Sequence, residues 1–157
     1  MTTSPTARRV QEELHRRGFD CTVIELSTPT RTAKEAAQAV GCGVEQIVKS
    51  LIFRATDSNS PILVVASGSN RVNEARISQL VGEPIAKADA TFVRERTGFV
   101  IGGVAPIGHK EPIRTFIDED LLQYSEIWAA AGTPTSIFKL TPHDLQTMTD
   151  GQVVTIK

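Results

Sequence analysis

The stretch Phe99-Val100-Ile101-Gly102-Gly103-Val104-Ala105-Pro106-Ile107-Gly108-His109 is the one around which the rest of the chain is organised. Its first three residues are apolar and predict a buried strand, which runs straight into a glycine pair and then a proline. Glycine permits φ > 0 and close approach of another backbone or a ligand, and successive peptide N–H groups at such a bend can converge on an anion or a polarised carbonyl. Pro106 fixes its own φ and stiffens the loop. Taken alone, a Gly-Gly-x-x-Pro run is also an ordinary tight turn, so the surrounding chain has to decide between the two readings.

Working outward, Ser4-Pro5 is a cap and first-turn pair, Ala7, Val10 and Leu14 form one apolar stripe, and Gly18 offers a stop, which together predict an amphipathic helix. Arg8, Glu12 and Arg16 stand four apart, as do Arg9, Glu13 and Arg17, so these charges can pair along a solvated face. Residues 21–26 have the β-branched content of a strand. Thr32-Ala33-Lys34-Glu35 matches a capping box closed by Gly41, which explains Thr32 structurally; a hydroxyl facing a ligand is the second reading, one that only its neighbours can support. A helical turn at 44–47 leads into a strand at 48–53, and residues 61–66 predict a core strand antiparallel to it across a polar tip. Asn73 or its neighbour caps a helix through Leu80 ended by Gly82, and Asp89 caps another ended at Thr97-Gly98, which delivers the chain to the opening stretch.

Downstream, 113–117 and 126–130 read as strands, or as a strand and a bend. The acidic turn Asp118-Glu119-Asp120 between them reads as solvated, because adjacent carboxylates on an extended turn point in different directions rather than at one metal. A strand at 137–140, a helix started by Thr141-Pro142 and a short strand within 153–156 complete the chain. The expectation is one α/β domain over residues 1–157, with a mixed, curved central sheet flanked by helices. A doubly wound sheet is not expected, since the glycine loop opens no helix followed by an acidic residue at dinucleotide-binding spacing.

Composition narrows the function classes. No apolar run approaches the roughly 20 residues of a membrane span, and the start, MTTSPTARRVQEELHRRG, lacks the apolar core of a secretory signal, so a cytoplasmic protein with no membrane partner is expected. A formal net charge of −1 argues against coating nucleic acid through bulk electrostatics; no DNA partner is expected and any RNA contact must be local. Cys21 and Cys42 lack C-x-x-C spacing and build no zinc site with His15, His109 and His143, so both read as reduced structural thiols, with no metal and no cofactor expected.

Lys49 interrupts the apolar 48–53 run. Strand alternation places it on the face of Leu51 and Phe53, where a lysine is costly unless it opens into a cleft; snorkelling at the start of an edge strand is the other reading. Two small polar loops, Ser67-Gly68-Ser69-Asn70-Arg71 and Gly132-Thr133-Pro134-Thr135, join Lys49 and the glycine pair in a set suited to a small polar ligand.

That set resembles a known family. Lys49 within VKSL, the loop GGVAPIGH with its Gly-x-x-x-Pro, and the later AAGTP are similar to the YbaK and prolyl-tRNA editing domain family, freestanding relatives of the insertion domain of prolyl-tRNA synthetase, and the resemblance runs from TAKEAAQAVG to the last helix. It implies hydrolysis, in trans, of the ester joining a wrong amino acid to the terminal adenosine of tRNA, usually tRNA for proline. By the same resemblance, Lys49 and Gly102 carry the chemistry. The backbone from Gly102 through Gly103, Val104, Ala105 and Pro106 holds the aminoacyl group and polarises its carbonyl, and Lys49 holds the terminal nucleotide. Thr32, Ser67, Gly68, Asn70, Gly132 and Thr133 belong to the expected substrate-binding set. The implied partners are the aminoacyl-tRNA acceptor end and a synthetase.

No Gly-x-Ser-x-Gly elbow is present, and a Ser-His-Asp triad would have to recruit a histidine without motif support. His109 lies just past the loop but has no assigned task. Relatives of the synthetase-insert type carry a pocket histidine where this chain has Gly132-Thr133-Pro134, so their amino-acid preference does not transfer. The alternative function is a non-hydrolytic module that binds aminoacyl-tRNA ends or an aminoacyl-adenylate.

Overall fold

Each α-helix begins where a short polar side chain takes over an orphaned backbone donor. Ser4 caps α1 (Pro5–Arg16), its Oγ accepting from Ala7 N at 3.1 Å, and Pro5 fills the first turn, where no N–H is required. Thr32, Asn73, Asp89 and Thr141 do the same for α2 (Ala33–Val40), α3 (Glu74–Val81), α4 (Ala90–Thr97) and α5 (Pro142–Thr149). These are the caps the sequence predicts. The computed structural model describes residues 4–30 and 32–157.

Strands β2 (Val48–Ala55) and β3 (Ser60–Ser67) form the expected antiparallel pair. Beside β2 lies β4 (Ile85–Lys87), antiparallel, while β5 (Arg114–Asp118) runs parallel to β3 and β8 (Gln152–Val154) parallel to β5. The order is β4-β2-β3-β5-β8. A second, antiparallel sheet consists of β1 (Val23–Glu25), β7 (Ser136–Leu140) and β6 (Ile127–Ala130), in the order β1-β7-β6. The α/β class with a mixed sheet and flanking helices is as expected, with the strands divided over two sheets that meet at a parallel bridge between Ile47 and Trp128.

Alternation along β3 feeds two cores. Leu63 and Val65 join Val10, Leu14, Phe99 and Phe138, whereas Ile62, Val64 and Ala66 pack with Ile77, Phe116 and Ile156. A strand buried on both faces has a continuous apolar sequence, which is what residues 61–66 show.

Two expectations fail. Residues 99–101 are not a strand: Thr97 Oγ1 donates to Val93 O at 2.7 Å and accepts Phe99 N at 3.0 Å, and Gly103 N donates to Val100 O at 3.0 Å, so local bonds take the groups a ladder would need. Phe99 is buried, but Ile101 is 57% exposed. The acidic turn is not wholly solvated either. Asp118 is only 1% exposed and caps a 3₁₀ helix (Glu119–Gln123), because parallel pairing of β5 with β3 carries it inside.

Candidate active site

The site is a gap along one edge of a sheet. β4 pairs with β2 only at Phe53, Arg54 and Ala55, with Ala88 N donating to Ile52 O at 3.4 Å, and β6 touches the chain before β2 at Ile47. Between those contacts β2 borders a cavity of about 830 Å³. Backbone N–H and C=O groups of alternate residues point to the same side of a strand, so those of Ser50 share the direction of the Ile52 carbonyl and face the gap. Apolar side chains, among them Ile52, Val93, Val104, Ala130 and Ile137, supply much of the wall, and Lys49, Ser50 and Thr32 add polar groups. An apolar concavity with a few placed polar groups is the usual form of a small-ligand site. Ser50 Oγ is buried and has no hydrogen-bond partner among the described residues.

Lys49 sits at the start of β2, half-buried, with Nζ donating to the Asn70 carbonyl at 2.6 Å. Burial pushes its pKa below the ordinary lysine value, Arg71 adds to that shift and Asp118 opposes it. The 67–70 loop is tightly anchored: Ser67 Oγ donates to Glu45 O at 2.7 Å, Gly68 N donates to Ile47 O at 2.7 Å, and Asn70 Nδ2 donates to both Asp118 and Asp120 at 2.8 Å. A side chain at Gly68 would collide with the Val44 carbonyl and Ala33 Cβ.

Across the cavity stands the glycine loop. Gly102 is exposed, has φ +89° and has open space where a Cβ would project, whereas a Cβ on Gly103 would lie 2.8 Å from Thr133 Cα. The two small-residue loops therefore pack back to back. The rear one is fastened in turn: Ser136 Oγ donates to Glu25 Oε1 at 2.6 Å, and Thr135 Oγ1 donates to Glu25 Oε2 at 3.0 Å. His109 closes the front loop, its Nε2–H donating to Ala105 O at 2.7 Å and its ring edge-on to Phe99 at 6.0 Å. Burial lowers the His109 pKa, and the bond to Ala105 opposes that shift.

Of the residues singled out in the sequence, Thr32, Lys49, Gly68, Gly102 and Val104 line the cavity. Gly103, Ala105, Pro106, Gly132 and Thr133 form the support behind the loop, and Ser67 and Asn70 form the support behind Lys49. Sequence reasoning missed Ser50, Ile52, Val93 and Trp128. Each reads as an ordinary strand or helix residue, and only the gap between β4 and β6 makes it part of a wall. Among the described residues no group of three His, Cys, Asp or Glu side chains is arranged to hold a metal ion.

Residues 27–148 match the aminoacyl-tRNA editing domain, and the chain belongs to that family. A solved structure described as a candidate trans-editing enzyme for prolyl-tRNA synthetase is 50% identical, covers 99% of both chains and superposes with a TM-score of 0.95. The uncharacterised protein YwhH of Bacillus subtilis (strain 168) is 32% identical over 123 residues, 78% of each chain. The proline–tRNA ligase of Limosilactobacillus fermentum is 29% identical over 109 residues, which are 66% of this chain but 19% of that enzyme. This chain therefore corresponds to one segment of the ligase.

Proposed function

We propose that this chain is a trans-acting deacylase that hydrolyses the ester between a mischarged amino acid and the terminal adenosine of tRNA, its substrate being tRNA for proline carrying alanine, cysteine or serine. The observation that carries this reading is the cavity itself: Lys49 and the open edge of β2 form one side and the Gly102 loop the other. Membership of the editing family and the likeness to a candidate trans-editing enzyme support the reaction class. Alanine, valine and isoleucine side chains in the wall are compatible with a small aminoacyl group.

In this reading the ester carbonyl enters at Gly102, where the absent side chain leaves room, and the Gly102-to-Pro106 backbone polarises it through N–H groups other than that of Gly103, which is bound to Val100 O, Pro106 having none. An amide held in place contributes roughly 3 kcal/mol to such a transition state. Lys49 orients the terminal nucleotide, Thr32 walls the pocket, and the Gly132-Thr133 loop holds the cradle rigid. Water adds to the carbonyl, the ribose oxygen leaves with the proton, and free amino acid and tRNA are released. His109 is committed to Ala105, so the neighbouring ribose hydroxyl assists the water in place of a side-chain base. The chain acts as one editing domain in the cytoplasm, on the acceptor end of aminoacyl-tRNA and beside a synthetase.

Incubation with a panel of aminoacyl-tRNAs tests this. Faster release of Ala, Cys or Ser from tRNA for proline than from any control is expected. Protection of the ester, or decay at the spontaneous rate across the panel, would make the chain a binding module instead.

A further inference from the structure

The group that fixes the Lys49 ammonium is a main-chain carbonyl, that of Asn70, so its position is set by whatever sets the conformation of the loop after β3. Beside the bonds to Glu45 O, Ile47 O and Asp120, that loop is tied down by one buried carboxylate. Asp118 Oδ2 accepts from Ser67 N at 2.9 Å and from Asn70 Nδ2 at 2.8 Å, while Asp118 Oδ1 accepts from Asp120 N at 2.9 Å. The end of β3, the Asn70 loop and the start of the 3₁₀ helix all converge on it. Asp118 takes part in none of the ion pairs found among the described residues, where Lys157 pairs with Asp120 at 2.9 Å instead. Burial of a carboxylate is compensated by hydrogen bonds, and here those three neutral donors supply them.

We propose that Asp118 is the positioning residue for Lys49: through Asn70 it holds the main-chain carbonyl that fixes the ammonium at the cavity. The kinetic consequence rests on the deacylase reading; the geometric one does not. Lys49 is also faced by Arg71 from the same loop, and Lys34, Glu74 and Lys87 line the cavity it enters. Among the neighbours that shift its proton affinity, Asp118 opposes both burial and Arg71.

The test compares wild type, Asp118→Asn and Asn70→Ala by melting temperature, by kcat and KM across pH, and by NMR titration of the Lys49 Cε signal. Asp118→Asn keeps the size and an acceptor oxygen, so a cooperative melt is expected. Its kcat is expected to fall at least tenfold with little change in KM, the alkaline limb of the profile to move to lower pH, and the Lys49 titration midpoint to fall with it. Asn70→Ala leaves Asp118 its two backbone donors, and is expected to lower kcat and shift the Lys49 signal; it decides the matter should Asp118→Asn fail to fold. Folded variants with wild-type kcat and an unmoved Lys49 titration would overturn the proposal. If no aminoacyl-tRNA is hydrolysed even by wild type, the deacylase reading fails, while the Lys49 titration still decides the role of Asp118.

Discussion

Lys49 occupies a strand position whose neighbours on the same face, Leu51 and Phe53, pack into a core. Its depressed pKa fixes the sign of its effect on folding: the unfolded chain holds the proton more readily, so stability is present above the ordinary lysine pKa and is lost as pH falls through the lowered one. At neutral pH the lysine is therefore a net burden, offset by its bond to Asn70, a contact to a charged group that contributes about 1.5–3 kcal/mol. Lys49→Met is expected to unfold in urea within about 1 kcal/mol of wild type. Both it and Lys49→Ala are expected to lose deacylation at least about a hundredfold, the scale of an oriented polar contact in a transition state. Arginine is not expected to rescue, because a planar fork does not replace a compact ammonium. Loss of more than about 2 kcal/mol of stability with activity retained would make Lys49 a structural residue. Lys49 was legible because a charge breaks an apolar run. Asp118 was not, since its burial comes from a pairing with β3, more than fifty residues earlier, and Asp-Glu-Asp reads locally as a wet turn.

At the scale of elements, the glycine loop borders the cavity although the strand reading of the stretch that leads into it fails. The apolar triplet at 99–101 has strand composition, yet Thr97 and the turn at Gly103 capture its backbone, and the loop is held by His109 and by Thr133 instead of by a ladder. A Cβ at Gly102 has no protein atom within 4 Å, so the backbone cost of Gly102→Val is the φ of +89°, about 1–2 kcal/mol for a residue with a Cβ, and a folded variant is expected. Its side chain would fill the space assigned to the ester carbonyl. Compared after matching thermal melts, Gly102→Val is expected to be nearly inactive and His109→Ala to keep most of its turnover; the reverse order would replace the backbone cradle with a histidine-based hydrolase. His109 has its own signature. Its pKa is lowered by burial, so the unfolded state takes up a proton that the folded state resists, and the stability is present above pH of about 6.5 and lost below it. Thermal melts of His109→Gln should therefore fall less steeply than wild type between pH 7 and pH 5, and parallel slopes would show that His109 does not titrate on unfolding.

For the whole molecule, helix caps, the β2–β3 pair and the mixed α/β class were readable because each is written in a few consecutive residues. The division into two sheets, the three-residue β4 and the gap between β4 and β6 were not, because each depends on partners far apart in the chain. The cavity is a property of that arrangement, and its wall residues acquire meaning only from it. In the proposed reading, an ester enters this cavity beside Gly102 and a nucleotide meets Lys49. The most direct test is multiple-turnover hydrolysis of mischarged tRNA for proline, with substrate in large excess over the protein. The account predicts linear release of amino acid far beyond one equivalent, abolished by Lys49→Ala. Release that is no faster than in buffer, or an ester protected in proportion to added protein, would contradict it.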